Sequence, residues 1–241
     1  MRINIISKTM AQNILIFLLA VAPAILLITY IYIVDKQQRE PIPQLLKGFV
    51  YGVVSAFVAV FAASFLAGAQ FYTDTYTNIV EAGRMAFWGA GLPEEAAKLF
   101  MLWLLVRKNK YFDERIDGIV YAVAISMGFA AFENILYLID NYEEWLSVGI
   151  MRAVLSVPGH YAFAVLMGYY YAKVHFGISN APKDKLMILL APVLVHTIFD
   201  WILFTISITP ALAILLTIIF IIFVIKMHKY ANARIREHLP E

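Results

Sequence analysis

Several acidic and histidine side chains in this sequence fall inside long apolar stretches, where an ionisable group is costly. Such a group at the centre of a membrane helix costs at least ~2.5 kcal/mol on insertion scales, so it is a functional candidate by default. Carboxylates act as general bases, imidazoles act as general acids or oxyanion donors, and both bind metal ions. The candidates for catalysis are Glu94, Glu95, Glu133, His160, His196 and Asp200.

Local spacing predicts how some of these groups interact. The adjacent glutamates Glu94 and Glu95 follow a proline, so we expect them in the first turn of a helix, where the dipole stabilises negative charge. Lys98 lies four residues after Glu94, close enough to neutralise it. His196 and Asp200 have the same spacing, so the aspartate either orients the imidazole or joins it as a ligand on one helix face.

The composition indicates that lipid surrounds the elements that position these residues. The chain has 241 residues, of which 62% are hydrophobic and 15% charged, and its mean hydropathy is +0.75. Soluble domains carry about 25% charged residues. The sequence contains no cysteine, which excludes disulfides, thiolate zinc sites and a cysteine nucleophile. We predict one integral membrane domain over residues 1–241.

The apolar segments predict an all-α, polytopic membrane helix bundle of about seven transmembrane helices. A span needs about 20 apolar residues. The first span is expected to be a retained helix and not a cleaved signal peptide, and the third is expected to be interrupted at Gly89–Pro93. The predicted spans are 11–34, 48–70, 83–106, 117–139, 151–174, 186–208 and 210–226.

Positive charge predicts the topology. Residues 35–47, 107–116, 173–185 and 226–241 contain 3, 4, 3 and 4 Lys or Arg residues, whereas the alternate connections contain two or fewer. Since positive residues favour the cytoplasm, we expect a short cytoplasmic tail over 227–241 and an external N-terminus. Counted at ~1.5 Å per residue from the cytoplasmic ends, the candidate residues lie about 15 to 24 Å deep, in one layer.

Four motifs in this layer resemble one known family. Glu94–Lys98 looks like EExxK, Phe129–Glu133 followed by Asn134 looks like FxxxEN, His160 is a lone later histidine, and His196–Asp200 looks like HxxxD. Together they resemble the PrsW family of bacterial membrane proteases, which is similar to the CAAX prenyl protease and bacteriocin-processing superfamily. The prenyl proteases have EExxxR and FxxxH instead, which leaves the roles of Lys98 and Glu133 open.

The resemblance implies an intramembrane peptidase in the bacterial cell membrane. Its expected substrate is a single-span membrane protein of the anti-sigma factor type, cut outside the cytoplasm at site 1 to release a stress response. The small net charge of +2 gives no reason to expect a nucleic acid partner.

The candidate residues permit two hydrolytic mechanisms. In the first, Glu94 or Glu95 activates water, Glu133 helps to hold it, and His196, aligned by Asp200, assists the oxyanion or leaving group. His160 then completes the polar wall, and the supporting residues are Lys98, Phe129 and Asn134. In the second, His160, His196 and a carboxylate from Asp200 or Glu133 bind zinc. The absence of an HExxH motif favours the first mechanism, so no cofactor is favoured and zinc stays possible.

Two further interpretations depend on side chains near these motifs. A proton-coupled membrane transporter is the alternative function, because chains of Asp, Glu and His also relay protons. The transporter interpretation explains less well why the charged residues lie at one depth in the membrane. Arg152 falls near the end of a predicted span, where a long basic side chain is expected to extend towards the headgroups.

Overall fold

Nine α-helices account for most of the residues that the computed structural model describes, which are 2–36 and 38–239. Met1, Gln37, Pro240 and Glu241 lie outside the described residues, so the last two positions of the predicted tail are not covered. The helices are α1 (Arg2–Val34), α2 (Ile42–Gly68), α3 (Ile79–Arg84), α4 (Leu92–Val106), α5 (Arg115–Asp140), α6 (Trp145–Met151), α7 (Val157–His175), α8 (Pro182–Ile208) and α9 (Ala213–His238).

Two π-helical turns join pairs of these helices into longer segments. Met85–Gly91 connects α3 to α4, and Arg152–Ser156 connects α6 to α7. Short 3₁₀ turns at Tyr142–Glu144 and Pro210–Leu212 precede α6 and α9. The interruption expected at Gly89–Pro93 is therefore a π-helical turn in a continuous helical segment.

The prediction of an all-α membrane bundle is confirmed. Six helical segments among the described residues are long and apolar enough to cross a membrane. The third predicted span, 83–106, corresponds to α3, its π-helical turn and α4. It is not among the six, because two glutamates and Lys98 interrupt its apolar character. Helix α9 continues through His238, so the segment predicted as a tail is largely helical.

Helix α5 lies at the centre of the bundle and positions the site. It packs against α1, α2, α4 and α7, and nearly all of its residues from 116 to 131 are buried. Its tightest crossing is with α2. A Cβ on Gly52 would collide with the Ile125 carbonyl oxygen, and a Cβ on Gly128 would collide with that of Phe49. Small residues at membrane helix crossings allow such close backbone approach.

Candidate active site

The first two candidate carboxylates begin α4, directly after its π-helical turn. Pro93 occupies the first turn, where its missing N–H leaves no intrahelical bond unmade. Glu94 and Glu95 share that turn, near the positive end of the helix dipole. Gly91 just before them lies against α8, where a Cβ would collide with Thr197 Oγ1. This close approach brings the two glutamates beside the histidine of α8.

Lys98 links three of the candidate groups. Its Nζ lies 2.8 Å from Glu95 Oε1, 3.3 Å from Glu94 Oε2 and 3.2 Å from His160 Nδ1. The ammonium also lies 3.9 Å from the centre of the Phe129 ring, a cation–π contact. An ammonium has three donors and no acceptor, so these contacts use its full capacity. Lys98 is buried and forms an ion pair with each of the two glutamates.

The contacts of His160 define its tautomer. Because Lys98 can only donate, His160 Nδ1 must accept the hydrogen bond between them, and the ring proton of a neutral imidazole then belongs to Nε2. His160 Nε2 lies 3.0 Å from Glu133 Oε2, to which it donates. The His160 carbonyl oxygen also accepts a hydrogen bond from the Ser126 hydroxyl at 2.9 Å. His160 therefore connects α4 to α5 through one ring.

His196 has a carboxylate beside each ring nitrogen. Its Nδ1 lies 3.0 Å from Glu95 Oε1, and its Nε2 lies 3.3 Å from Asp200 Oδ2 and 4.0 Å from Glu94 Oε2. Either nitrogen can donate to its neighbouring carboxylate, and a doubly protonated ring would donate to both. Phe163 stacks on the imidazole with ring centroids 4.6 Å apart, which fixes its orientation.

The two adjacent glutamates have different surroundings. The Glu95 side chain is 0% exposed and lies between Lys98 and His196. The Glu94 side chain is 13% exposed and lines a cleft between α2 and α5, together with Glu133. Glu94 therefore faces the cleft, whereas Glu95 is enclosed by Lys98 and His196.

The structure brings all six predicted catalytic residues into one connected network. Hydrogen bonds and ion pairs run from Asp200 through His196, Glu95, Lys98 and His160 to Glu133, with Glu94 bound to Lys98. Four helical segments contribute to it, namely α4, α5, α7 and α8. Of the predicted supporting residues, Lys98 and Phe129 lie inside the network and Asn134 borders it.

Comparisons with known proteins identify the family. The model of the PrsW family intramembrane metalloprotease matches residues 40–227. Protease PrsW of Clostridioides difficile is 35% identical over 225 residues, which cover 90% of this chain and 92% of that protein. The chain belongs to the PrsW family of intramembrane proteases.

Two further PrsW relatives give the same result. Protease PrsW of Geobacillus kaustophilus is 36% identical over 183 residues, with 76% of this chain and 77% of the relative covered. Protease PrsW of Bacillus subtilis is 36% identical over 193 residues, with 78% and 82% covered. No solved structure matches the chain. The chain is thus a bacterial, multi-pass membrane protease, and the transporter alternative is not favoured.

The PrsW family is described as a metalloprotease family, and a metal ion requires donor atoms that converge on one point. Ligand atoms from Glu94, Glu95, His160 and His196 lie within 4.8 Å of one another. This group contains both histidines of the predicted zinc set but has Glu94 and Glu95 where Asp200 or Glu133 was expected. Zinc takes nitrogen and oxygen donors at about 2.0–2.2 Å, so an ion on the atoms that surround Lys98 would contact its ammonium. With Lys98 in this position, the atoms that contact its ammonium leave no space between them for a divalent cation.

Arg152 contacts this network, and the sequence interpretation missed that contact. The expectation that it extends towards the headgroups is wrong. Its Nη2 forms an ion pair with Glu133 Oε2, its Nε donates to Asn134 Oδ1 at 2.6 Å, and its guanidinium lies 3.8 Å from the Tyr137 ring centre. Asn134 in turn donates to the Ala20 carbonyl oxygen at 3.2 Å. The helix begins before the predicted start at residue 151, which places Arg152 inside the bundle.

Proposed function

We propose that this chain hydrolyses a peptide bond of a membrane-anchored protein with a glutamate-activated water, and that Glu94 is the general base. The position of Glu94 carries this proposal, because it is bound to Lys98, lies near His196 and faces a cleft. A general base must reach the proton that it removes, and Glu95 is enclosed by its partners. The resemblance to prenyl proteases also favours carboxylate chemistry.

The proposed reaction starts when Glu94 takes a proton from water and the hydroxide adds to the peptide carbonyl carbon. Glu133 helps to hold the water through the oxygen that Arg152 and His160 leave free. Glu95 holds the His196 ring at Nδ1, and the Nε2–H that faces Asp200 also donates to the developing oxyanion. The C–N bond then breaks, and the proton on Glu94 passes to the leaving amine.

The contacts of Lys98 support a reaction without a metal ion. The ammonium already supplies the positive charge that holds Glu94, Glu95 and His160 together. A metal ion in the same place would require Lys98 to leave. The metal-free mechanism therefore requires no displacement of Lys98 from the site.

The decisive test is cleavage of single-span membrane proteins by purified protein in lipid vesicles. We expect Glu94→Gln to lower the cleavage rate by about 100-fold or more, as loss of a general base does. Glutamine keeps the shape and polarity of the side chain, so we expect the variant to fold, which its melting temperature and gel-filtration profile check. A zinc chelator is expected to leave the wild-type rate unchanged. Full activity of Glu94→Gln, or chelator inactivation reversed by zinc, contradicts the mechanism.

We further propose that the substrate is an anti-sigma factor, cut at site 1 in its extracytoplasmic part. The family resemblance suggests this substrate, and the cleft reaches the end of α5 where the connections have few positive residues. The same charge pattern supports a cytoplasmic C-terminus. Mass spectrometry of the products from an oriented substrate tests both ideas. A cut on the cytoplasmic side of the substrate span would refute them.

A further inference from the structure

Helices α2 and α5 are in close contact in one half of the bundle and separate in the other. Their backbones touch at Gly52 and Gly128. Beyond this crossing, the helices enclose a cleft of about 310 Å³. This volume lies at the lower end of the range for ligand sites in proteins. The cleft is continuous with the catalytic network, because Glu94 and Glu133 line it.

The walls of the cleft suit a polypeptide backbone. Ala59 and Ala63 line it from α2, and Phe129 and Phe132 line it from α5. Alanine side chains leave room beside the backbone, and the aromatic rings offer flat apolar contact. Apolar walls with a few polar groups at one place are typical of binding sites that orient a ligand.

The cleft runs from the end of α5 towards the catalytic network. Asp140, the last residue of α5, lines its mouth, and Glu133 lies seven residues deeper. That distance is about 10 Å along a helix at ~1.5 Å per residue. An extended chain rises about 3.3 Å per residue, so about three extended residues reach from the mouth to the carboxylates.

We propose that this α2–α5 cleft is the substrate-binding groove, and that it admits an extended segment of a membrane-anchored protein. The proposal rests on the proposed peptidase function. A helical segment is unsuitable for two reasons. The carbonyl oxygens inside a helix are hydrogen-bonded, and the side chains of a helix about 10 Å wide surround the scissile bond. The segment enters at Asp140, unwinds along Ala63 and Ala59, and presents its carbonyl group to Glu94.

A bulky residue in the groove tests this route. Ala63→Trp is expected to lower kcat/KM at least tenfold through a higher KM, because the indole fills the path. Ala62→Trp is the matched control. Ala62 is the adjacent alanine of α2, is half-buried like Ala63, and is not among the residues that line the groove. Both variants should retain the melting temperature and gel-filtration profile of the wild type. Equal cleavage by Ala63→Trp and Ala62→Trp overturns the proposal.

Disulfide cross-linking gives a second readout that needs no catalysis. The chain has no cysteine, so a single cysteine can be placed without background. Ala63→Cys and Ala62→Cys are combined with Glu94→Gln and oxidised with a substrate that the wild type cleaves and that carries one cysteine near its cut bond. A disulfide needs Cα atoms within about 7 Å.

The two readouts separate the possible failures. Cross-linking through Ala63→Cys and not through Ala62→Cys establishes the groove. Cross-linking at both positions, at Ala62→Cys alone, or at neither one overturns it. If the wild type cleaves no membrane protein at all, the peptidase proposal fails, whereas cleavage without a cross-link at Ala63→Cys refutes only the groove.

Discussion

At the scale of single residues, Lys98 is the group on which the others depend. It is buried and holds two carboxylates and the acceptor nitrogen of His160. Removing one partner from a buried ionic cluster leaves uncompensated charge and costs about 3–5 kcal/mol. The ammonium thus supplies the positive charge of the site. Its loss is expected to change the chemistry of the site as well as the stability of the fold.

We predict that Lys98→Met abolishes cleavage and creates a zinc site. Without the ammonium, the donor atoms of Glu94, Glu95, His160 and His196 remain within 4.8 Å of one another, a set of types that zinc accepts. Elemental analysis after dialysis with zinc should find about one ion per variant chain, and zinc should raise the melting temperature of the variant alone. Lys108→Met, at an exposed position, is the control. Zinc bound equally by the wild type would contradict this view of Lys98.

Arg152 and Glu133 form a partly buried ion pair at the edge of the site, and its energy can be measured by a double-mutant cycle. The guanidinium and carboxylate are 12% and 19% exposed. We predict that Arg152→Gln and Glu133→Gln each lower the melting temperature. The melting temperature of the double variant should fall by less than the sum of the two single decreases, because neither charge is then left without its partner. Strictly additive losses would show that the pair does not stabilise the bundle.

The residue types of the site were accessible to sequence reasoning, but their partners were not. Glu133 and His160 are conspicuous because they lie deep in apolar segments. Arg152 lies where the predicted span begins, and a long basic side chain at such a place usually reaches the headgroups. Only the packing of α6 against α1 and α5 shows that the helix starts earlier and that this side chain points inward.

At the scale of elements, the π-helical turn before α4 determines where the glutamates lie. Such turns are often found at functional sites, because they change the direction of the side chains that follow. Gly91 ends this turn and touches Thr197 of α8. The hydropathy pattern predicted the helical segment but not the turn, because a π-helical turn adds a residue without changing the apolar composition.

We predict that Gly91→Ala lowers cleavage by about tenfold or more, the effect of ~1.4 kcal/mol in transition-state stabilisation. The added methyl group collides with Thr197 Oγ1 and pushes the glutamates away from His196. Thr197→Ala removes that oxygen, which is buried and has no hydrogen-bond partner among the described residues. The double variant should therefore regain part of the activity. A double variant no better than Gly91→Ala would exclude this contact as the cause.

At the scale of the whole molecule, the class of fold followed from composition, whereas the arrangement of the helices did not. Every predicted span is apolar, so hydropathy cannot say which one lies at the centre. Helix α5 takes that place, and its small residues, including Gly118 and Gly128, let neighbours approach on several sides. In lipid, helices associate through such packing and polar contacts, which a single sequence does not specify.

The end of the bundle opposite the groove contains a second set of buried acidic groups. Asp35 and Glu40 lie in the connection between α1 and α2, and both are buried. Glu40 accepts a hydrogen bond from the hydroxyl of Tyr121 on α5. Burial raises the pKa of Asp35 to about 6 and that of Glu40 to about 8. We therefore expect the stability of the protein to depend on pH through these carboxyl groups.

The sign of that dependence follows from the raised pKa values. A carboxyl group that binds its proton more tightly in the folded state stabilises the fold at low pH, and this contribution is lost as pH rises through the folded pKa. For Glu40, the loss falls between its ordinary pKa of 4.5 and about 8. The wild type should accordingly melt at a lower temperature at pH 8.5 than at pH 5.5.

We predict that Glu40→Gln removes most of this difference. The amide resembles the protonated carboxyl group and cannot ionise, so the variant should melt several degrees above the wild type at pH 8.5 and close to it at pH 5.5. Glu143→Gln, at an exposed position in the connection after α5, controls for the loss of one negative charge. Melting in detergent at the two pH values measures the effect. If Glu40→Gln instead destabilised the protein more at pH 8.5 than at pH 5.5, Glu40 would have to be ionised in the fold, and the buried carboxyl groups would stabilise this end through charge and not through their protons.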